Sequence, residues 1–348
     1  MTRIAALAIL LAACSRGEKS RDTASEEVTI QMGARSFAGT LTRPKEGKGP
    51  GILLIAGSGP TDRDWNSPGL PGKNGSGKLI AAELARRGMV VLRYDKTTSG
   101  KNAPPPGMTY DLFRDEARAA LAFLRARPEV DPAHLFVAGH SEGGVQALRV
   151  ALEEKELAGV ILLSTPGRRL ADVMLAQLES QLTEAASRRL MKPEIVEREV
   201  ASLRQAFADF TAGQDVDPAR ASSIPAIRQV LVPIMSPQAA SVGRPWVSFD
   251  PAGAAAAIDA PVLVLNGDKD IQVDASVDAP LLEKARKGAG KPVELVLVKD
   301  ANHVYKQETR SLEEIRAALS TVNATYNQDG LELAPGVVSA IAAFVAKH

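Results

Sequence analysis

Residues 134–144 read His134-Leu135-Phe136-Val137-Ala138-Gly139-His140-Ser141-Glu142-Gly143-Gly144. The apolar run 135–138 has the length and composition of a buried strand, and 145–153 carries a helical pattern. Between them stands G-x-S-x-G, from Gly139 to Gly143. That pattern also arises by chance, and an ordinary glycine-rich turn is the plain alternative. Between a strand and a helix it points instead to a serine on a tight, strained turn. A side chain at Gly139 or Gly143 would collide with neighbouring backbone. The turn lifts the Ser141 hydroxyl clear of the sheet and sets the first helical N–H groups beside it, where negative charge is stabilised.

Outward from this turn, short runs rich in Val, Ile and Leu recur at 52–56, 90–94, 159–163, 262–265 and 293–298. Continuous apolar runs suit strands covered on both faces, as in a parallel sheet. Helical patterns lie between them at 77–87 and 109–127. In the second, Leu112, Ala119, Phe123 and Ala126 form a stripe and Pro128 follows its end. Such units, joined by right-handed crossovers, build an α/β fold with a doubly wound, mostly parallel sheet. Ahead of it, 28–31 and 37–42 flank Met32-Gly33-Ala34-Arg35 and predict an antiparallel hairpin. Residues 168–251 break the rhythm. They show no strand pattern, but Met174, Leu178 and Leu182 follow four-residue steps. Val196, Val200, Leu203 and Phe207 repeat helically, and Pro193 suits a first helical position. The expectation is a helical insertion between two sheet strands, acting as a lid; surface helices without a role are the alternative.

The composition fits a large α/β domain. Hydrophobic residues make up 45% of the 348 but aromatics only 4%, so the core must be aliphatic. Lys plus Arg (42) balance Asp plus Glu (41), which leaves no electrostatic footprint for nucleic acid. Cys14 is the single cysteine, which excludes an intrachain disulfide and a cysteine-based metal site. Arg3 precedes an apolar run at 4–13, far short of the roughly 20 residues needed to span a bilayer. Residues 1–13 therefore read as a secretory signal. Leu11-Ala12-Ala13-Cys14 resembles the lipobox of bacterial lipoproteins, which implies cleavage before Cys14 and its lipidation. An ordinary signal peptide with an incidental cysteine is the alternative. Ser15, rather than Asp, favours the outer membrane. Residues 14–27 are polar and lack periodicity, so they read as a flexible tether. That leaves 28–348 as the folded domain, held in the cell envelope by a lipid anchor only.

Two further stretches carry a resemblance. Ile55-Ala56-Gly57-Ser58-Gly59-Pro60-Thr61-Asp62-Arg63-Asp64 and Arg93-Tyr94-Asp95-Lys96 resemble bacterial secreted esterases related to dienelactone hydrolases. With the serine turn, the chain from about Val28 onward resembles the α/β-hydrolase superfamily. One departure is Thr97-Thr98, where such proteins often continue Arg-Gly. A serine nucleophile needs a base. His134 precedes the strand that ends at Ser141, His140 diverges from Ser141 on the turn, and His348 is the last residue. His303 follows the 293–298 strand, on the side where α/β sheets bind ligands. The resemblance implies that the acid lies in G-x-x-D-x-x-V, from Gly267 to Val273, at Asp270. Asp268 and Asp274 stand nearby as alternatives. The chain order Ser141, Asp270, His303 is the one expected for this fold.

An acyl-transfer site also needs donors for an oxyanion. One is the backbone N–H of Glu142, next after the serine. The resemblance implies the second at Ser58, with Gly57 before it; a phosphate cradle is the alternative, but the full G-x-G-x-x-G is absent. The Glu142 carboxylate has no assigned role. Asp62, Arg63 and Asp64 either brace the site through Arg93 and Lys96 or form a solvated loop. Gly57, Met174, Leu178, Trp246 and Phe249 are candidate pocket residues, with plain packing of the insertion as the alternative. The implied reaction is hydrolysis of small-molecule carboxylic esters through an acyl-enzyme, which requires no metal or organic cofactor. A serine peptidase or amidase on the same fold and a non-catalytic binding lipoprotein are the rival readings.

Overall fold

Strands covered on both faces are largely apolar, and the central strands follow this apart from buried polar positions such as Arg93 and Asn266. The computed structural model describes residues 20–68, 72–99, 102–318 and 330–348. Its strands are β1 (Thr23–Met32), β2 (Arg35–Pro44), β3 (Gly49–Ile55), β4 (Val90–Tyr94), β5 (Val130–His140), β6 (Gly159–Leu163), β7 (Val262–Gly267) and β8 (Val293–Val298). They form one sheet in the order β1-β2-β4-β3-β5-β6-β7-β8. β1 and β2 pair antiparallel, β2 joins β4 antiparallel, and the six strands from β4 to β8 are parallel. Every residue of β4, β6 and β7 is buried.

Alternation along the strands divides the core into two layers. Leu53, Leu92, Val137, Leu162 and Val264 face one side, under α2 (Asp111–Arg125), α3 (Glu142–Glu153), α9 (Pro251–Ala257) and α10 (Asp278–Gly288). Ile52, Val91, Phe136, Ile161 and Leu263 face the other, under α1 (Ser76–Arg86) and the last helix, α12 (Val337–Lys347). The chain runs from β3 to β4 on one side and then returns to lay β5 on β3's other side. The carboxyl ends of β3 and β5 therefore meet at the point where strand order reverses, the crevice in which open α/β sheets bind ligands.

The hairpin differs from its expected bounds. β1 starts at Thr23, inside the stretch 14–27 read as a tether, and pairs with β2 as far as Pro44. The extension is held by polar pairs, which hydrophobic periodicity cannot reveal. Ser25 Oγ lies 3.1 Å from Thr42 Oγ1, Thr40 donates to Glu27 (2.6 Å), and Arg127 donates to Glu26 (2.7 Å). Such charges also suit an edge strand. Residues 1–19, and with them the signal and Cys14, lie outside the described residues. No helix among the described residues is long and apolar enough to cross a membrane.

Between β6 and β7 the chain forms α4 (Leu170–Ser187), α5 (Pro193–Thr211), α6 (Pro218–Ala221), α7 (Pro225–Met235) and α8 (Ala240–Ser248). This insertion has a core of its own, in which Leu178, Leu203, Phe207, Phe210, Leu231 and Val247 are buried together. A buried polar clamp ties its helices together: Glu199, buried in α5, accepts from Ser222 Oγ (2.7 Å) and Ser223 N (3.0 Å). Phe249 leaves this core and joins the sheet's.

The loop after β4 resolves the Thr97-Thr98 departure. Thr97 is fully buried, and its N–H donates to Glu116 (2.9 Å). Thr98 has φ 79°, the conformation that glycine adopts freely and a β-branched residue adopts under strain. Thr98→Gly is therefore expected to raise stability by about 1 kcal/mol, the strain relieved less the entropy of the added glycine. Denaturant unfolding of the two proteins would measure it, and a lowered midpoint would contradict the strain.

Candidate active site

The β5–α3 turn is shaped by backbone crowding. Ser141 has φ 53° and ψ −122°, a strained conformation for a residue with a Cβ. Its N–H donates to Leu163 O (2.8 Å), which ties the turn to β6. A Cβ added to Gly139 would lie 2.0 Å from Gly143 O, and one added to Gly143 would lie 2.5 Å from Ile55 O and 2.6 Å from Ala56 O. The same holds at Gly144, whose Cβ would meet Thr165 Oγ1 at 1.8 Å. Gly144 was not singled out by the motif, although the Gly143-Gly144 doublet marks it. Helix α3 starts at Glu142, directly after the serine and earlier than the 145–153 pattern suggests, because the two glycines carry no periodicity.

Asp270 and His303 come together from the loops after β7 and β8. His303 Nδ1 lies 2.8 Å from Asp270 Oδ2, and both side chains are buried. Asp270 Oδ1 accepts from Gln272 N (2.9 Å) and Val273 N (3.0 Å), which fixes the carboxylate. The loops meet closely: a Cβ on Gly267 would lie 2.2 Å from Ala301 O. Asp274, by contrast, accepts from Ser276 and faces Arg316. Asp268 has a buried Oδ1 with no partner among the described residues and does not bond His303.

Ser141, His303, Gly57, Ser58 and Gln272 line one cavity of about 110 Å³. A Cβ on Gly57 would sit 3.4 Å from the Ser141 Cβ, so the loop after β3 passes beside the serine. Among the described residues the N–H groups of Ser58 and Glu142 make no hydrogen bond. A second cavity, about 310 Å³, adjoins at Ser58. Its walls include Met108, Tyr110 and Phe113 from the body and Val242 and Trp246 from the insertion. Of the candidate pocket residues, Gly57 and Trp246 line these cavities. Met174 and Leu178 turn into the insertion's own core and Phe249 into the sheet core, so none of the three lines either cavity. Helical spacing identified the buried face of Met174 and Leu178 but not what it is buried against. A wider groove of about 730 Å³, between α1 and residues 330–339, holds none of Ser141, Asp270 and His303.

The charged loop residues do brace the site. Arg63 donates from its backbone and its guanidinium to Asp95 (2.9 and 3.1 Å), and buried Arg93 pairs with Asp64. Asp62 folds the loop on itself by accepting from Asp64 N and Asn66 N. Glu142's carboxylate, left without a role, accepts from Tyr110 OH (2.7 Å) and Gln146 Nε2 (2.6 Å).

His140 has partners that the sequence did not suggest. It is buried, stacks on Trp65 with ring centroids 4.4 Å apart, and donates from Nε2 to the backbone oxygen of His303 (2.8 Å). The partners come from loops 75 and 163 residues away (140 − 65 and 303 − 140), so no local pattern reveals them. His134 pairs with Asp131 on the surface.

This is an α/β hydrolase: the chain belongs to the alpha/beta hydrolase family, whose sequence model matches residues 52–317. Among curated proteins it is similar to Esterase EstD of Thermotoga maritima, 34% identical over 143 residues. The match covers 40% of this chain and 33% of that protein. Cutinase 2 of Thermobifida cellulosilytica is 29% identical over 145 residues, covering 40% of this chain and 49% of the cutinase. The aligned stretch thus spans a third to a half of these curated relatives. Among solved structures, a proline iminopeptidase of Mycobacterium smegmatis superposes with a TM-score of 0.51 at 18% identity, over 87% of this chain and 99% of that one. A dienelactone hydrolase-like promiscuous phosphotriesterase from metagenomic libraries gives 0.50 at 14%, over 93% and 98%. These two likenesses concern the fold.

Burial holds the His140 imidazole well below the ordinary histidine range, and the fields of His303 and Lys96 add to it. The unfolded chain takes up this proton near pH 6.5 and the folded state does not. Stability is therefore whole above about pH 6.5 and falls on acidification, by at most about 1.4 kcal/mol per pH unit, until the folded imidazole also protonates. His140→Gln keeps a donor for His303 O and is expected to lose this component. Urea unfolding from pH 7 to pH 5 would show it, and equal slopes in both proteins would refute it.

Proposed function

We infer that the protein is a serine carboxylesterase working through an acyl-enzyme. The observation that carries the reading is the fixed Asp270–His303 pair, whose imidazole shares one cavity with Ser141 and the Gly57–Ser58 backbone. A carboxylate on Nδ1 selects the tautomer whose unprotonated Nε2 can accept a proton, and it stabilises the imidazolium that results. His303 removes the Ser141 proton as the hydroxyl attacks the ester carbonyl. The oxyanion is received by the N–H groups of Ser58 and Glu142, the latter reinforced by the start of α3. His303 then protonates the departing alcohol. Water, deprotonated by the same imidazole, attacks the acyl-enzyme and releases the acid. The similarity to an esterase and a cutinase supports an ester as substrate.

The apolar cavity beside Ser58 suits an acyl chain. In this reading the insertion is a lid whose Val242 and Trp246 close the chain's far side. At the N-terminus, the signal and Cys14 support export and attachment to the envelope through a lipid.

Ser141→Ala is expected to abolish hydrolysis of p-nitrophenyl butyrate and labelling by a fluorophosphonate probe, with the thermal midpoint retained. Undiminished turnover would end the assignment. An aminoacyl p-nitroanilide cleaved in preference to the ester would favour the peptidase reading. Trp246→Ala widens the cavity and is expected to raise the octanoate-to-butyrate ratio of kcat/KM by about tenfold; an unchanged ratio would place the acyl chain elsewhere.

A further inference from the structure

Lys96 is a buried ammonium that the reaction above does not use. It is 4% exposed and lies in the wall of the apolar cavity. Fully buried lysines are rare, because removing the charge from water is costly unless partners replace the water. The partners here are two backbone oxygens. Nζ donates to Gly57 O in a short contact and to Thr61 O (3.3 Å). Both belong to the loop that leaves β3 and passes beside Ser141.

The first contact has a geometric consequence. The Gly57 carbonyl and the Ser58 N–H belong to one peptide unit, which is planar and trans, so the two groups point in opposite directions. Fixing the carbonyl on Lys96 fixes the N–H on the other side of the plane. The cavities have the matching arrangement: Lys96 lines the apolar one, Ser141 the polar one, and Ser58 borders both. A cation on the carbonyl also polarises the amide and strengthens its N–H as a donor.

The geometry points to Lys96 as a positioning residue for the oxyanion site, orienting and polarising the Gly57–Ser58 peptide from behind. It touches no reacting atom and acts through that one amide. This rests on the esterase reading and deepens it. Burial brings the ammonium down to about 8, against the opposing fields of Glu142, Glu116, Asp95 and Asp62. The ammonium in turn acts on His140.

The test compares wild type with Lys96→Met and Lys96→Gln on p-nitrophenyl butyrate. It also measures inhibition by an alkyl trifluoromethyl ketone, whose serine adduct carries a tetrahedral oxygen. In the folded variants kcat is expected to fall about 100-fold, as on loss of one oxyanion donor, with KM within about threefold of wild type. Affinity for the ketone is expected to fall in parallel. A kcat within threefold of wild type, or a loss confined to KM, would overturn the proposal. Should neither variant fold, the wild-type adduct carries the same test by NMR. The Ser58 amide proton is expected to move upfield as Lys96 loses its proton above pH 8, and an indifferent signal overturns the proposal. Failure of the esterase reading shows separately, as wild type that neither hydrolyses the ester nor takes up a fluorophosphonate on Ser141.

Discussion

The structure depends on one close backbone contact: Gly143, at the start of α3, lies against the carbonyls of Ile55 and Ala56 at the end of β3. Nothing larger than hydrogen fits there, and Gly139 and Gly144 are confined in the same way. This contact makes α3 begin directly after Ser141 and forces the serine's positive φ. It also brings the exit of β3 alongside the serine, so Gly57 and Ser58 share its cavity. The Asp270–His303 pair then arrives from the other flank, from loops packed together over Gly267.

Around this contact the loops are held by ionic and polar groups in addition to the packing of buried Trp65. Arg63 on Asp95, Arg93 on Asp64, Thr97 on Glu116 and Tyr110 on Glu142 all lie within or beside the segments that border Ser58. Buried charges of this kind are a poor source of stability, because desolvation offsets most of their attraction. Their value lies in direction: each bond fixes a loop at a defined angle. The charge on Arg93, held down to about 10 by burial, illustrates the cost.

Local rules were legible in the sequence and long-range ones were not. The strands from β3 to β7 show in the apolar runs because burial on both faces favours apolar side chains, with Arg93, paired with Asp64, a buried exception. The serine turn shows because its glycines and its strand and helix are contiguous. Asp270 was reached through the resemblance of the Gly267–Val273 stretch, with Asp268 and Asp274 as alternatives; the N–H groups of Gln272 and Val273 that hold its carboxylate emerge only from the structure. The first five residues of β1 were missed because Ser25, Glu26 and Glu27 bond to side chains distant in sequence. The partners of His140 were not legible for the same reason, since they are Trp65 and the His303 backbone. Met174 and Leu178 show the limit of periodicity, which marks a side as apolar and leaves its partner undefined.

The insertion's separate core has an evolutionary consequence. Leu203, Phe207, Phe210 and Leu231 stabilise its helices among themselves, and only a small part of α7 and α8 reaches the cavity beside Ser58. Mutations that redraw that border can accumulate there without loosening the sheet or the serine turn. On the acyl-pocket proposal, descendants of this chain can diverge in diet while inheriting the same chemistry, as a tool keeps its handle when the bit is exchanged.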